Sequence, residues 1–356
     1  MRKSLFLLLS LFCLTISAQK NMSLDQVYTQ WQSRNLKVDR GANILQMVQS
    51  FQKMWPTYSG GELIKFSKSK QKYDNVDKVV DLKNGYILYS EDDPDSVNDE
   101  QMQACVWRRS NGHSLFAINF HRFSSELDVL CFYDYNPQTK TLTPEKSLDN
   151  LFKPSFTGYR YRVWLPQNGK NLEVEEFFGA LTIKHTYSWD GMKPVNPQVT
   201  LDRMEFYQSS FAETFSFADE HPLTQYALID IDLDGVPELW LCSDDESYQA
   251  VFAVKLTIDL LGGQDDRRTL SFYKGAVCHS GHCGAGCMSS VYCLLEDSSR
   301  KTWLQDLQEY DYEKDEFSPS VYTLNADKIS AAEGERIINS LGKEIKRTAH
   351  WVKLAE

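Results

Sequence analysis

The chain has 356 residues, 38 basic and 49 acidic, for a net charge of −11. That balance argues against nucleic acid and anionic lipid as partners, because both call for a positive face that displaces counterions, and it suits solubility and cation binding. A single core rarely grows past about 250 to 300 residues, so the length favours two domains, and a 13% aromatic content supplies ample material to pack them.

In chain order the first element is a leader. Arg2 and Lys3 precede an apolar run from Leu5 to Leu14, then Thr15-Ile-Ser-Ala18, the three-part form of a secretory signal with a small residue before the cut. The run is too short for a bilayer, which takes roughly 20 residues, and no later segment is apolar and long enough to cross. The sequence therefore predicts a signal peptide over 1–18, no transmembrane segment, and a mature protein in the periplasm or outside the cell. A lipid anchor at Cys13 is the weaker reading, since Ser10-Leu-Phe12 lacks the small residue that lipoprotein processing favours.

Ser23 to Gln26 has the form of a capping box, and Ile44, Met47, Val48 and Phe51 keep the spacing of one buried helical face. One or two amphipathic helices ending near Trp55-Pro56 are expected. From about Val79 the period changes to two, with strands at Tyr86–Tyr89, Ala104–Arg108, Leu115–Phe120 and Val129–Tyr135. Asn111-Gly112 and Gln167-Asn-Gly-Lys170 are hairpin turns, because both central positions of such turns need positive φ. Three further segments, beginning at Phe132, Tyr187 and Glu309, set aromatic residues before a polar turn and a proline beyond it; they read as copies of one unit, as in propeller blades, or as exposed hairpins, and the lack of a fixed period favours hairpins.

Residues 196–200, "NPQVT", mark the expected boundary, with Pro197 ending a strand and Thr200 capping a helix whose Met204, Tyr207, Phe211 and Phe215 form one stripe. Strands follow near Ala250–Leu256, Leu270–Tyr273, Val291–Leu295 and Trp303–Tyr312. Ser330-Ala-Ala-Glu333 is a second capping box, opening a helix that stops at Gly342. The predicted fold class is α+β, mostly antiparallel β. Helices and a β-meander occupy residues 20–199, and a second helix/β domain occupies 200–356.

That second domain carries "IDIDLDGVPEL", residues 229–239. Counting Asp230 as position 1, Asp232 is 3, Asp234 is 5, Gly235 is 6, the Val236 carbonyl is 7 and Glu238 is 9. Calcium takes six to eight oxygens, and a loop with alternate carboxylates turned inward plus one carbonyl supplies most of them. Four carboxylates this close would otherwise raise one another's pKa. Position 12 is Leu241, so the glutamate of an EF-hand is missing, and both flanks read as strand. The expectation is a strand-loop-strand site for structural calcium; an acidic turn without an ion is the bland alternative.

"DIDLDGVPEL" resembles the Asp-x-Asp-x-Asp-Gly loops of FG-GAP-type propeller repeats. It is more similar still to a class of exported bacterial domains in which an aromatic-rich helix precedes such a loop. Here "EFYQSSFAETFSF" stands for the helix, and the closing "ISAAEGERIINSLGKEIKRTAHWVKL" resembles that class's C-terminal helix and tryptophan strand. The resemblance covers about 200–356, with Leu233 where glycine is usual. It implies calcium binding through Asp230, Asp232, Asp234, Val236 and Glu238, and no shared reaction.

"CHSGHCGAGCMSSVYC" gathers Cys278, Cys283, Cys287 and Cys293 with His279 and His282. Glycines at 281, 284 and 286 predict a tight, irregular loop. Disulfides are the default for clustered cysteines in an exported chain. A zinc site and a reactive Cys–His pair are weaker readings, because the gaps do not match paired Cys-x2-4-Cys knuckles and no orienting Asp or Asn is identifiable. Cys105 and Cys131 lie in strand runs and read as buried small hydrophobes. No nucleophile elbow, phosphate loop or zinc-protease helix is present. The functional expectation is a non-enzymatic exported calcium-binding protein of a bacterial envelope with a protein or glycan partner; the alternative is an envelope hydrolase or thiol enzyme using residues 278–293.

Overall fold

The computed structural model describes residues 34–38, 43–54, 76–91, 100–122, 127–149, 151–152, 160–215, 220–233, 235–255, 257–284, 286–297 and 300–355. The expected leader and the Ser23 capping box lie outside them, as does Asp234. Among the described residues the architecture is mostly antiparallel β, and no helix is long and apolar enough to cross a membrane. The chain divides into two compact units, Met1–Glu175 with His185–Pro197, and Glu176–Lys184 with Gln198–Glu356.

In the first unit, β1 (Leu36–Lys37) and helix α1 (Ile44–Met54) precede six strands: β2 (Val76–Asp81), β3 (Tyr86–Glu91), β4 (Glu100–Arg108), β5 (Ser114–Arg122), β6 (Leu127–Asn136) and β7 (Thr141–Pro144). They form one seven-stranded sheet in the order β1-β7-β6-β5-β4-β3-β2. Successive side chains in a strand alternate between faces, and each face here has its own core. Tyr89, Ala104, Ile118 and Tyr133 pack with Met47, Val48 and Phe51 of α1, while Cys105, Trp107, Leu115 and Phe132 pack with Val163, Leu172 and Val174. Fully burying such a large apolar side chain contributes about 1.5 to 3 kcal/mol. The last three residues belong to β8 (Arg160–Trp164) and β9 (Leu172–Phe178), which with β10 (Leu181–Trp189) and β11 (Pro194–Leu201) form a second sheet, ordered β11-β10-β9-β8. Both Asn-Gly pairs lie in turns, but only the glycines take positive φ, Gly112 at +85° and Gly169 at +80°; the connections, 109–113 and 165–171, are longer than the two-residue turns that positive φ at both positions would make.

The expected break at Pro197 and cap at Thr200 are corrected by the structure. β11 runs through both to Leu201 because it is the edge of its sheet, where a proline's missing N–H costs no ladder bond. Helix α2 (Met204–Thr214) starts later, through Arg203 at φ +56°, and buries Tyr207, Phe211 and the following Phe215.

The second unit contains β12 (Gln225–Ile229), β13 (Glu238–Cys242), β14 (Gln249–Ala253) and β15 (Asp259–Gln264), then β16 (Arg268–Tyr273), β17 (Ala276–Gly284), β18 (Cys287–Asp297), β19 (Arg300–Asp311), β20 (Glu316–Phe317), β21 (Val321–Leu324) and β22 (Asp327–Lys328). Helix α3 (Ala331–Ser340) and β23 (Val352–Lys353) close it. One sheet is ordered β15-β14-β13-β12-β23; the other runs β16-β17-β18-β19-β21-β22, with β20 on β19. Val277, Phe272 and Cys293 pack with Trp240, Val251 and Leu261, and on the opposite face Cys278, Tyr292 and Leu304 pack with Ile337 and Ile338 of α3. Ser330 caps α3 as expected, its Oγ accepting from the Glu333 N–H at 3.2 Å. Residues beyond α3 return to the five-stranded sheet: Trp351 meets Trp240 edge-on at 4.9 Å, and the amides of Leu354 and Ala355 donate to the carbonyls of Thr224 and Val199.

Candidate metal centre

The acidic turn joins β12 to β13, two antiparallel strands in which Ile229 faces Glu238. Apolar residues anchor both ends. Ile229 and Ile231 enter the core shared with Trp240 and Val251, which leaves Asp230 and Asp232, at the alternate positions, free of that core. Beyond them the chain reverses through Leu233 at φ +62° and Gly235 at φ +89°. Leu233 is 62% exposed, so its side chain points outward. Glycine takes such a left-handed backbone without the strain it costs a leucine.

One carboxylate oxygen from each of Asp230, Asp232 and Glu238 lies within 4.8 Å of the others. Asp230 Oδ2 accepts from the Gly235 N–H at 3.1 Å, while its Oδ1 is buried and has no hydrogen-bond partner among the described residues. Glu238 is 1% exposed and accepts from the Ile231 N–H at 2.8 Å. Burial above all pushes its carboxyl up to about 8; Asp232 and Asp230 add to this, and the Ile231 amide and Lys255 oppose it. Val236 lies half-buried in the same turn. An all-oxygen set of converging carboxylates with one orphaned buried oxygen fits a hard divalent cation such as calcium and does not fit a soft, thiolate-seeking metal.

Two basic side chains approach the turn from elsewhere in the second unit. Lys255 Nζ lies 2.5 Å from Asp232 Oδ2, and both side chains are nearly buried. Arg347 Nη2 reaches the Asp230 carbonyl at 3.5 Å. Neither is foreshadowed by the spacing of the acidic turn, since each comes from a segment remote in sequence. The neighbouring acids Asp244 and Asp245 are engaged in a separate turn. Asp244 accepts from Thr224 Oγ1 at 2.7 Å, and hydrogen bonds from Ser243 and Ser247 hold Asp245 down to about 2.

The cysteine-rich segment is corrected from a loop to a β-hairpin. β17 and β18 pair along nearly their full length, and the glycines there serve close approach and turning. A Cβ on Gly281 would lie 1.9 Å from the Arg267 carbonyl oxygen, while Gly284 and Gly286, both at positive φ, flank the reversal. Cys283 and Cys287 stand at bridging distance across the tip, Cα–Cα 5.2 Å. Cys278 and Cys293 cannot join them in a four-cysteine staple. Cys278 faces Tyr292, Cys293 faces Val277, and the two point to opposite sides of the sheet. Burial pushes the Cys278 thiol up to about 12, the reverse of nucleophile activation. His279, its sequence neighbour, points to the other face, where its ring meets Phe215 edge-on at 5.4 Å. Cys105 and Cys131 are buried in β4 and β6, as expected of small hydrophobes.

Comparison with protein-family models finds no match, and comparison with curated proteins finds none. The acidic triad therefore rests on its own geometry.

Proposed function

We propose that this is an exported, calcium-binding, β-rich protein of a bacterial envelope, without a catalytic role, whose metal fixes the β12–β13 turn and so the sheet that a protein or glycan partner meets. The observation that carries this reading is the convergence of Asp230, Asp232 and Glu238 within 4.8 Å, beside a buried Asp230 oxygen that has no hydrogen-bond partner among the described residues. Asp234 and the Val236 carbonyl complete the expected ligand set. Export is supported by the leader-like sequence before Gln19 and by the bridging pair at the β17–β18 tip, which suits an oxidising compartment.

Bound calcium would supply positive charge among the carboxylates and add stability through preferential binding to the folded chain. The protein's own residues do the rest: the Ile231 and Gly235 amides orient Glu238 and Asp230, and the β12–β13 ladder fixes their spacing. The test is calorimetric titration with calcium chloride, combined with melting in chelator and in calcium. Wild type should take up one ion and melt higher with it. Asp232→Asn should bind at least tenfold more weakly and lose most of the calcium-dependent rise; an unchanged response in that variant would remove the assigned ligand set.

A further inference from the structure

Lys255 belongs to the second unit and is held firmly near the turn. The Ala180 N–H donates to the Val254 carbonyl at 2.7 Å, and Gly179, at φ +58°, lies so close that a Cβ there would meet the Lys255 carbonyl oxygen at 2.2 Å. From this fixed backbone the side chain delivers its ammonium to Asp232 Oδ2 at 2.5 Å, with only 11% of the lysine side chain and 12% of the aspartate exposed. A calcium ion bonds oxygen at about 2.3 to 2.6 Å. An ammonium and a calcium ion on the same oxygen would thus stand within about 5 Å of each other, in a nearly buried place where like charges are poorly screened. They would compete for Asp232.

Resting on the calcium reading above, we propose that Lys255 is a tethered competitor that sets the affinity of this turn. Its ammonium neutralises Asp232 when calcium is scarce and must swing away when calcium binds. The turn then takes calcium weakly, in the roughly 10⁻⁴ to 10⁻³ M range of extracellular modules, where site charge is a principal determinant of affinity. Such a site fills and empties with the calcium outside the cell instead of remaining permanently loaded.

The experiment is calcium titration of the full chain by calorimetry for wild type, Lys255→Met, Lys255→Gln and Lys255→Arg, with melting in chelator alongside. Removing the competing charge should tighten calcium binding at least tenfold in the Met and Gln variants and lower their melting temperature in chelator; Arg should stay within about threefold of wild type. A readout that needs no mutant fold is the lysine ammonium resonance in ¹⁵N-labelled wild type: one slowly exchanging signal should be lost or shifted as calcium is added. If wild type binds calcium but Met and Gln bind equally or more weakly, or if no ammonium resonance responds, competition is overturned and the calcium site stands. If neither wild type nor any variant binds calcium, the calcium reading falls and this inference falls with it.

Discussion

Glu238→Gln separates the metal's contribution from the cost of keeping the site, because its effect should change sign with calcium. The Glu238 carboxyl is raised from 4.5 to about 8, chiefly by burial. The folded chain therefore holds a proton on it up to about pH 8, whereas the unfolded chain releases that proton near 4.5. For an acid shifted upward, stability is unaffected below 4.5 and falls as pH rises through the window to about 8. At pH 7 the gap of about 2.5 pH units corresponds to about 3 kcal/mol of stability forgone, at about 1.4 kcal/mol per unit. Glutamine keeps a carbonyl to accept the Ile231 N–H and never ionises; seating its extra N–H group costs about 1 kcal/mol. The variant should then be about 2 kcal/mol more stable than wild type at pH 7 in chelator. Urea unfolding between pH 5 and 8 measures this directly. The gain should grow toward pH 8 and be gone near pH 5, and saturating calcium should stabilise wild type but not the variant. Parallel pH profiles for the two proteins, or a variant less stable at pH 8 in chelator, would refute the assignment of Glu238 as the buried acid of the turn.

Leu233→Gly should raise stability by about 0.5 kcal/mol, because the left-handed backbone costs a leucine about 1 to 2 kcal/mol and glycine's added unfolded-state freedom costs roughly 0.5 to 1. Calcium affinity should not change, since the leucine side chain is mostly in solvent; a lower urea midpoint would argue against strain at this position. His279 is lowered to about 4, first by burial and then by Arg268. A base shifted downward from about 6.5 contributes fully above that value and loses its contribution as pH falls through the window to about 4, here up to about 3 kcal/mol. His279→Leu should flatten that acid limb in equilibrium unfolding, and an equally steep limb in the variant would place the responsible group elsewhere.

What could be read from the chain before its structure was local in every case. The alternation in β3 to β6 reflects two buried faces and marked these runs as strands, while their register, Tyr86 with Cys105 and Tyr89 with Met102, came only with the structure. Gly112 and Gly169 mark their turns through positive φ, and Ser330 with Glu333 specifies the start of α3. The acidic turn was legible in the spacing of Asp230, Asp232 and Glu238, whose carboxylates the structure brings within 4.8 Å of one another. What stayed hidden depends on long-range contact. Gly281 reads as a loop residue until the Arg267 carbonyl is seen to occupy the space of its Cβ. In the same way, Gly263 sits in β15 because a Cβ would meet the Gln249 carbonyl and the rings of Phe211 and Phe215. Pro197 reads as a strand end until β11 is known to be an edge. Lys255 has no local signature at all; only the folding of β14 beside β13 carries it to the turn.

The pairing of β23 with β12 has a consequence for how the chain is made. Arg347, which touches the Asp230 carbonyl, is synthesised 117 residues after it, and the strand at Val352–Lys353 is later still. During synthesis, β12 therefore emerges with its outer hydrogen-bonding edge bare, a template that another strand could join. That edge at Gln225 and Tyr226 is covered only once Val352 and Lys353 have followed, so a chain cut short before residue 347 would hold the acidic turn without the strand that pairs beside β12.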